Sequence, residues 1–142
     1  MRLMIHREFT FEASHKIPTL PATHCCGRLH GHTYRAEIWC DGEIEDDPHG
    51  LAWHTDFNDI DELATELKTL IDHRHLNVVP PEVEGHLGLD LAPAWVLERL
   101  GSASAERIAV FVFEFFRKRI PTCCGVRLWE GPGASVVAGR IS

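Results

Sequence analysis

The stretch Cys26-Gly27-Arg28-Leu29-His30-Gly31-His32 decides how this chain is read. His30 and His32 are two residues apart, so on a β-strand both imidazoles leave the same face of a sheet. Downstream, Tyr34, Ala36, Ile38 and Cys40 keep that parity, while Arg35, Glu37 and Asp41 take the other face, so residues 31–44 read as a strand. Upstream, residues 3–15 alternate in the same way. Leu3, Ile5, Phe9, Phe11 and Ala13 share one face, and Arg2, His6, Glu8, Thr10 and Glu12 share the other. His15 continues the apolar face if no bulge intervenes, whereas Arg7 interrupts it and marks a bulge or a contact between subunits. Pairing the two strands would bring three imidazoles together at the ends of core-facing rows. Three facial nitrogens suit a zinc ion with a fourth position left open for substrate. Cys26 lies close enough to act as an acid or base beside them. His-x-His pairs also arise by chance, and a lone histidine on an apolar face is usually a hydrogen-bonded core residue. The metal reading therefore rests on three of them converging.

Further along, Asp56 is placed to cap a helix in which Phe57, Ile60, Leu63, Ala64, Leu67, Leu70 and Ile71 follow helical periodicity. A second helix is expected over about 105–119. Its centre, from Ile108 to Phe116, is apolar almost all round except for Glu114, which predicts burial on more than one side. Two last strands, near 125–129 and 135–141, flank Gly131-Pro132-Gly133. The resulting order ββααββ predicts an α+β sandwich in a single domain spanning 1–142. Residues 80–101 fall outside this scheme and read as an insertion, with a short helical pattern at Trp95, Val96, Leu97 and Leu100.

Composition narrows the function. A 44% hydrophobic and 25% charged chain of 142 residues reads as an ordinary globular domain. No apolar run reaches the length of a membrane span, and no signal-peptide core opens the sequence, so a cytoplasmic location with no membrane partner is expected. A formal charge of −7 with no basic stripe argues against nucleic acid. A small anionic substrate remains compatible, with Lys16 and Arg28 flanking the histidines. Five cysteines, an odd number, read as free thiols in a reducing compartment.

Other side chains carry two readings each. Cys26, beside a cation and imidazoles, is expected to favour its thiolate, although Cys25 competes for the same role. Asp72-His73 closes the first helix, where an imidazolium gains from the helix dipole; the same pair could hold a proton-shuttling histidine. Glu130, before the Gly-Pro-Gly turn, is either a solvated strand end or a carboxylate that accepts two donors of a planar heterocycle. Adjacent Cys123-Cys124 is not expected to form a site.

At these residues the sequence resembles the 6-pyruvoyltetrahydropterin synthase and 6-carboxytetrahydropterin synthase family. The resemblance is carried by Phe9-Thr10-Phe11-Glu12-Ala13-Ser14-His15, the run from Cys26 to Tyr34, and Thr55-Asp56-Phe57. It continues through Ile71-Asp72-His73-Arg74-His75-Leu76-Asn77, Ser104-Ala105-Glu106-Arg107-Ile108-Ala109 and the strand leading to Glu130. It implies a tunnelling fold: a four-stranded antiparallel sheet backed by two helices, closing into a barrel of identical subunits, hexamer-like as a dimer of trimers. It also implies active sites between subunits. By position, it makes His15, His30 and His32 the ligands of Zn2+, Cys26 the catalytic thiol, Asp72 and His73 its partner pair, and Glu130 and Glu106 the pterin-binding carboxylates. The family's Asn-Pro-Thr stands here as Ser102-Ala103-Ser104, a departure that touches a pterin hydrogen bond.

The spacing Cys-Gly-x-x-His-Gly-His is similar to the 6-carboxytetrahydropterin branch, which serves 7-deazaguanine (queuosine) synthesis. That branch converts 7,8-dihydroneopterin triphosphate to 6-carboxy-5,6,7,8-tetrahydropterin and releases acetaldehyde and triphosphate. The alternatives are the 6-pyruvoyl reaction, which keeps the side-chain carbons, and a non-catalytic pterin- or purine-binding module.

Overall fold

In the computed structural model, which describes residues 1–79 and 88–142, two long strands form the spine of the molecule. β1 (Arg2–His15) and β2 (His30–Glu43) pair antiparallel from Arg2↔Glu43 through to His15↔His30 without a slip. The period-2 pattern therefore survives over the whole length. Phe9, Phe11, Ala13 and His15 point to the same layer as Tyr34, Ala36, Ile38 and Cys40. No bulge occurs at Arg7. It pairs with Ile38, and its guanidinium reaches both oxygens of Asp61 at 2.9 and 3.0 Å, which ties the strand to the helix above it.

α1 (Phe57–Ile71) begins where the Asp56 carboxylate accepts the Asn58 amide at 2.8 Å, and it lies over β1 with Ile60, Leu63, Ala64, Leu67 and Ile71 buried. At its end, His73 adopts a left-handed backbone (φ 58°), which turns the chain back to the sheet edge. There Arg74 and His75 form β3, paired parallel with Ala13 and Ser14. α2 (Ala94–Leu100) follows, then α3 (Ala105–Arg117), β4 (Cys123–Gly131) and β5 (Ala134–Gly139). The sheet order is β3-β1-β2-β4-β5.

The α+β class is as expected, but the four-strand, two-helix order ββααββ is not. The described residues hold five strands and three helices. β3 has only two residues, too few for any periodicity, and exists because the turn at His73 lays it along β1. The part 88–101 of the expected insertion contributes Ala92, Val96, Leu97 and Leu100 to the core. The rest of that segment, 80–87, lies outside the described residues.

α3 covers β4 and β5 and touches α1 and α2, which accounts for its apolar breadth; Val110 alone among its aliphatic residues stays well exposed. Between the layers, the Phe11 and Tyr34 rings stack with centroids 4.9 Å apart. Each fully covered side chain of this kind contributes on the order of 1.5–3 kcal/mol. The opposite sheet face is polar, with Arg35 and Arg127 stacked over the Trp129 ring at 4.8 and 4.4 Å.

Candidate metal centre

The continuous register delivers His15 and His30 side by side at one end of the sheet, with His32 one pleat further along the same face. One nitrogen from each ring falls in a set whose members all lie within 4.8 Å of one another, so the three residues could hold a metal ion. His15 is buried, and its Nδ1 lies 2.7 Å from the Ala103 carbonyl oxygen. His30 has its Nδ1 2.6 Å from the Arg28 carbonyl oxygen. Carbonyls only accept, so both Nδ1 atoms carry protons, and in the neutral rings both Nε2 atoms present lone pairs. Those two Nε2 atoms face each other at 2.9 Å. Two lone pairs at that distance repel unless a proton or a cation lies between them. The Nε2 of His32 is buried and forms no aligned hydrogen bond, although the Glu130 Oε1 stands 3.1 Å away. Burial lowers the pKa of His15, against the Ala103 hydrogen bond and Glu130, and that of His32, against Glu130, which favours the neutral rings. An open set of three imidazole nitrogens, two of them on rings whose outer N–H groups are tied to carbonyls, is the donor chemistry of a borderline cation such as zinc.

A cavity of about 420 Å³ opens beside His15, and Cys26, Ser104, Glu106, Glu130 and Val136 line it. Cys26 is delivered by a single 3-10 turn, Cys25–Gly27, capped by His24. The Cys26 carbonyl accepts the Ile17 amide at 2.8 Å, and a Cβ at Gly27 would collide with the Pro21 carbonyl oxygen, so glycine lets the loop close over the turn. Glu130 shares the inward face of β4 with Leu128, and Glu106 sits in the first turn of α3, where the helix dipole favours a carboxylate. Tyr34 closes the floor behind His15, and burial pushes its phenol strongly upward.

The structure departs from the sequence expectation at Cys26. Its thiol is pushed up, first by the hydrogen bond with Cys25 (Sγ to Sγ 3.8 Å), then by desolvation and by the negative charges of Cys25 and Glu130. It is Cys26 that lines the cavity, whereas Cys25 is exposed.

Asp72 and His73 do not line this cavity. They cap α1, with the Asp72 Oδ1 3.1 Å from the His73 Nδ1. Burial acts to raise the Asp72 carboxyl, but the Glu12 amide at 2.8 Å and the His73 and Lys68 charges outweigh it and hold it low. The His73 ring is 76% exposed and flanks a second depression with Glu12, Thr33 and Arg74, which His32 also lines.

Several positioning groups went unread in the sequence. Ala103 adopts a left-handed backbone (φ 53°), which aims its carbonyl at His15, while Ser104 caps α3. The Ser102-Ala103-Ser104 departure thus has work of its own. Asn77 accepts the Lys16 amide at 2.6 Å and donates to the Ser102 carbonyl at 3.0 Å, locking the end of β1 to this loop. His75 is buried against the Ser14 hydroxyl at 2.9 Å.

Fold and site together define a two-layer α+β protein whose sheet end gathers three imidazoles beside a cavity lined by a thiol and two carboxylates. The description of the 6-pyruvoyl tetrahydropterin synthase family matches residues 4–140, and the chain belongs to that family. A Haemophilus influenzae 6-carboxy-5,6,7,8-tetrahydropterin synthase is 26% identical over 138 residues, covering 90% of this chain and 92% of its own. A Pyrococcus abyssi protein that carries the same name as a provisional assignment is 44% identical over 136 residues, covering 86% of this chain and 80% of its own. Among solved structures, the Caenorhabditis elegans 6-pyruvoyl tetrahydropterin synthase shares the fold, with a TM-score of 0.69 at 17% identity over 99% of this chain and 96% of that one. Among the described residues, no helix is long and apolar enough to cross a membrane.

Proposed function

We propose that this protein is a zinc-dependent lyase that converts 7,8-dihydroneopterin triphosphate to 6-carboxy-5,6,7,8-tetrahydropterin, with release of acetaldehyde and triphosphate, in 7-deazaguanine synthesis in the cytoplasm. The observation that carries this reading is the convergence of the His15, His30 and His32 nitrogens beside a cavity lined by Cys26, Glu106 and Glu130. The curated names of the Haemophilus and Pyrococcus relatives favour the 6-carboxy reaction over the 6-pyruvoyl one.

In this mechanism His15, His30 and His32 hold the zinc ion. Polarisation of the substrate's side-chain oxygens is the chemistry such an ion supplies when bound. Glu130 accepts the donors on the pterin ring edge, with Glu106 beside it, and so fixes the ring relative to the side chain. Cys26 exchanges a proton on one side of that side chain. Asp72 orients His73 as the second proton carrier. His73 lines a depression other than the Cys26 cavity, and in this reading the cavity it serves belongs to a neighbouring subunit of a homo-oligomeric barrel, hexamer-like as a dimer of trimers.

Mass spectrometry of the products formed from 7,8-dihydroneopterin triphosphate by zinc-loaded protein tests the proposal. 6-Carboxytetrahydropterin with acetaldehyde is the expected outcome. A product that retains the side-chain carbons would move the protein to the 6-pyruvoyl reaction, and tight pterin binding without turnover would make it a binding module.

A further inference from the structure

The turn that delivers Cys26 carries a second set of metal-ligating atoms, of which the function above uses only the Cys26 thiol. His24, Cys25 and Cys26 are consecutive, yet one donor atom from each lies within 4.8 Å of the other two. The backbone explains why. The His24 amide donates to the Pro21 carbonyl at 2.9 Å, which anchors the start of the turn. The His24 Nδ1 accepts the Cys26 amide at 3.1 Å, which folds the ring over the turn. The 3-10 geometry then swings the two neighbouring thiols to the same side, 3.8 Å apart. That separation is informative. Two thiolates held about 2.3 Å from one tetrahedral cation stand about 3.8 Å from each other. Both thiols are free, and His24 and Cys25 are open to solvent, so an ion can reach them.

We propose that His24, Cys25 and Cys26 form a second cation site, distinct from the three-histidine centre and selective for thiophilic d10 ions. The donor sets differ in kind. Three imidazoles suit a borderline ion, whereas two thiolates with one imidazole favour softer ions such as cadmium or copper(I). On binding, each thiol gives its proton to solvent as its metal–sulfur bond forms, the His24 Nδ1 exchanges its hydrogen bond from the Cys26 amide for the ion, and no redox change is involved. Because Cys26 also lines the cavity, an ion held here withdraws that thiol from the pocket. This consequence rests on the role proposed for Cys26; the site itself does not.

Titration of zinc-free, reduced protein with cadmium ions tests the assignment, with the ultraviolet thiolate-to-cadmium charge-transfer band and bound cadmium as readouts. About two cadmium ions per chain are expected, only one of which produces the band. Cys25→Ser, at an exposed position that leaves the fold and the imidazoles in place, should lose the band and keep the other ion. His32→Ala should do the reverse, keeping the band and losing the other ion. A band that survives Cys25→Ser would overturn the site by placing the thiolate ligands elsewhere. Loss of the band in His32→Ala would overturn it too, by making Cys26 a fourth ligand of the histidine centre. So would a wild-type protein that binds cadmium without any band. Turnover is not measured, so failure of this site leaves the pterin assignment standing, and failure of that assignment leaves the site standing.

Discussion

The two ends of the β1–β2 ladder are built from the same strand pairing and treat their polar atoms in opposite ways. At the end where the strands begin and finish, the Asp41 carboxylate is nearly covered, with 5% of the side chain exposed, and every demand it makes is met. Arg2 donates to its two oxygens at 3.0 and 2.8 Å, and the guanidinium of Arg140 donates to one of them as well. At the other end, His15 and His30 turn their lone pairs on each other at 2.9 Å, and the buried Nε2 of His32 has no aligned partner. A satisfied end adds stability and asks for nothing more. At an end where ring nitrogens converge without a protein donor between them, the polar demand is left open, and that is where the proposed metal ion would sit. Pairing and register do not distinguish the ends; hydrogen-bond satisfaction does.

The hardest blow to this contrast would come from the histidines. His15→Ala, His30→Ala or His32→Ala should each lower zinc affinity by roughly a hundredfold or more, since even the loss of an outer hydrogen-bond partner costs about 10–100-fold. Turnover should fall with the metal. Metal analysis after dialysis, with circular dichroism to confirm folding, reads this directly. A His32→Ala protein that kept its zinc and its rate would remove the functional end from the comparison.

Cys26 separates chemistry from metal at that same end. Cys26→Ala should retain zinc and bind pterin while losing roughly two or more orders of magnitude in rate, the scale of a lost acid–base group. Cys25→Ala should be mild in turnover because its thiol does not line the cavity. The opposite ranking would transfer the proton to Cys25.

Whether that end is complete within one chain is open to a subunit-mixing test. A His32 lesion paired with a Glu130 lesion cannot report on sharing between chains, because those side chains meet at 3.1 Å within one chain. Glu130→Ala and His73→Ala form the informative pair. If the cavity of one chain receives His73 from another, each variant alone has a lesion in every site, and exchange creates some sites with none. Partial recovery of activity is expected after exchange. No recovery despite proven exchange would confine the site to a single chain.

What could be read in the sequence follows from which interactions leave a pattern in it. The strands and the convergence of His15, His30 and His32 were legible because parity propagates along an unbroken ladder. The capping role of Asp56 was legible because side-chain caps need particular residue types. The Ala103 and Arg28 carbonyls, which orient two of the three imidazoles, were not legible, since every residue has a carbonyl and alanine gives no sign of a left-handed backbone. β3 was hidden by its length, whereas the helical pattern from Trp95 to Leu100 did mark α2 without showing that its residues belong to the core. The thiol of Cys26 went astray for a different reason. Sequence proximity suggested a cation and imidazoles as its neighbours, but the local turn gave it Cys25 instead.

The smallest expected effect belongs to the satisfied end, and it concerns stability alone. The hydrogen bonds from Arg2 and then Arg140 hold the Asp41 carboxyl down to about 2, below the value of about 3.9 for an aspartate in an unfolded chain. A depressed folded-state pKa means that the unfolded chain takes up the proton first. Asp41 therefore contributes stability in full above about pH 4, and that contribution fades as the pH falls towards 2. Asp41→Asn should melt at a lower temperature than the parent at pH 7, and the gap between the two proteins should narrow steadily between pH 5 and pH 2. Zinc content and turnover at neutral pH should be unchanged, because nothing at this end touches the cavity. Thermal melts of both proteins across that pH range, alongside metal analysis, provide the check. If the gap stayed constant with pH, the arginine pairs would not be what stabilises this end. If zinc were lost with Asp41, the two ends of the ladder would be coupled, and the division between a structural end and a functional one would have to be abandoned.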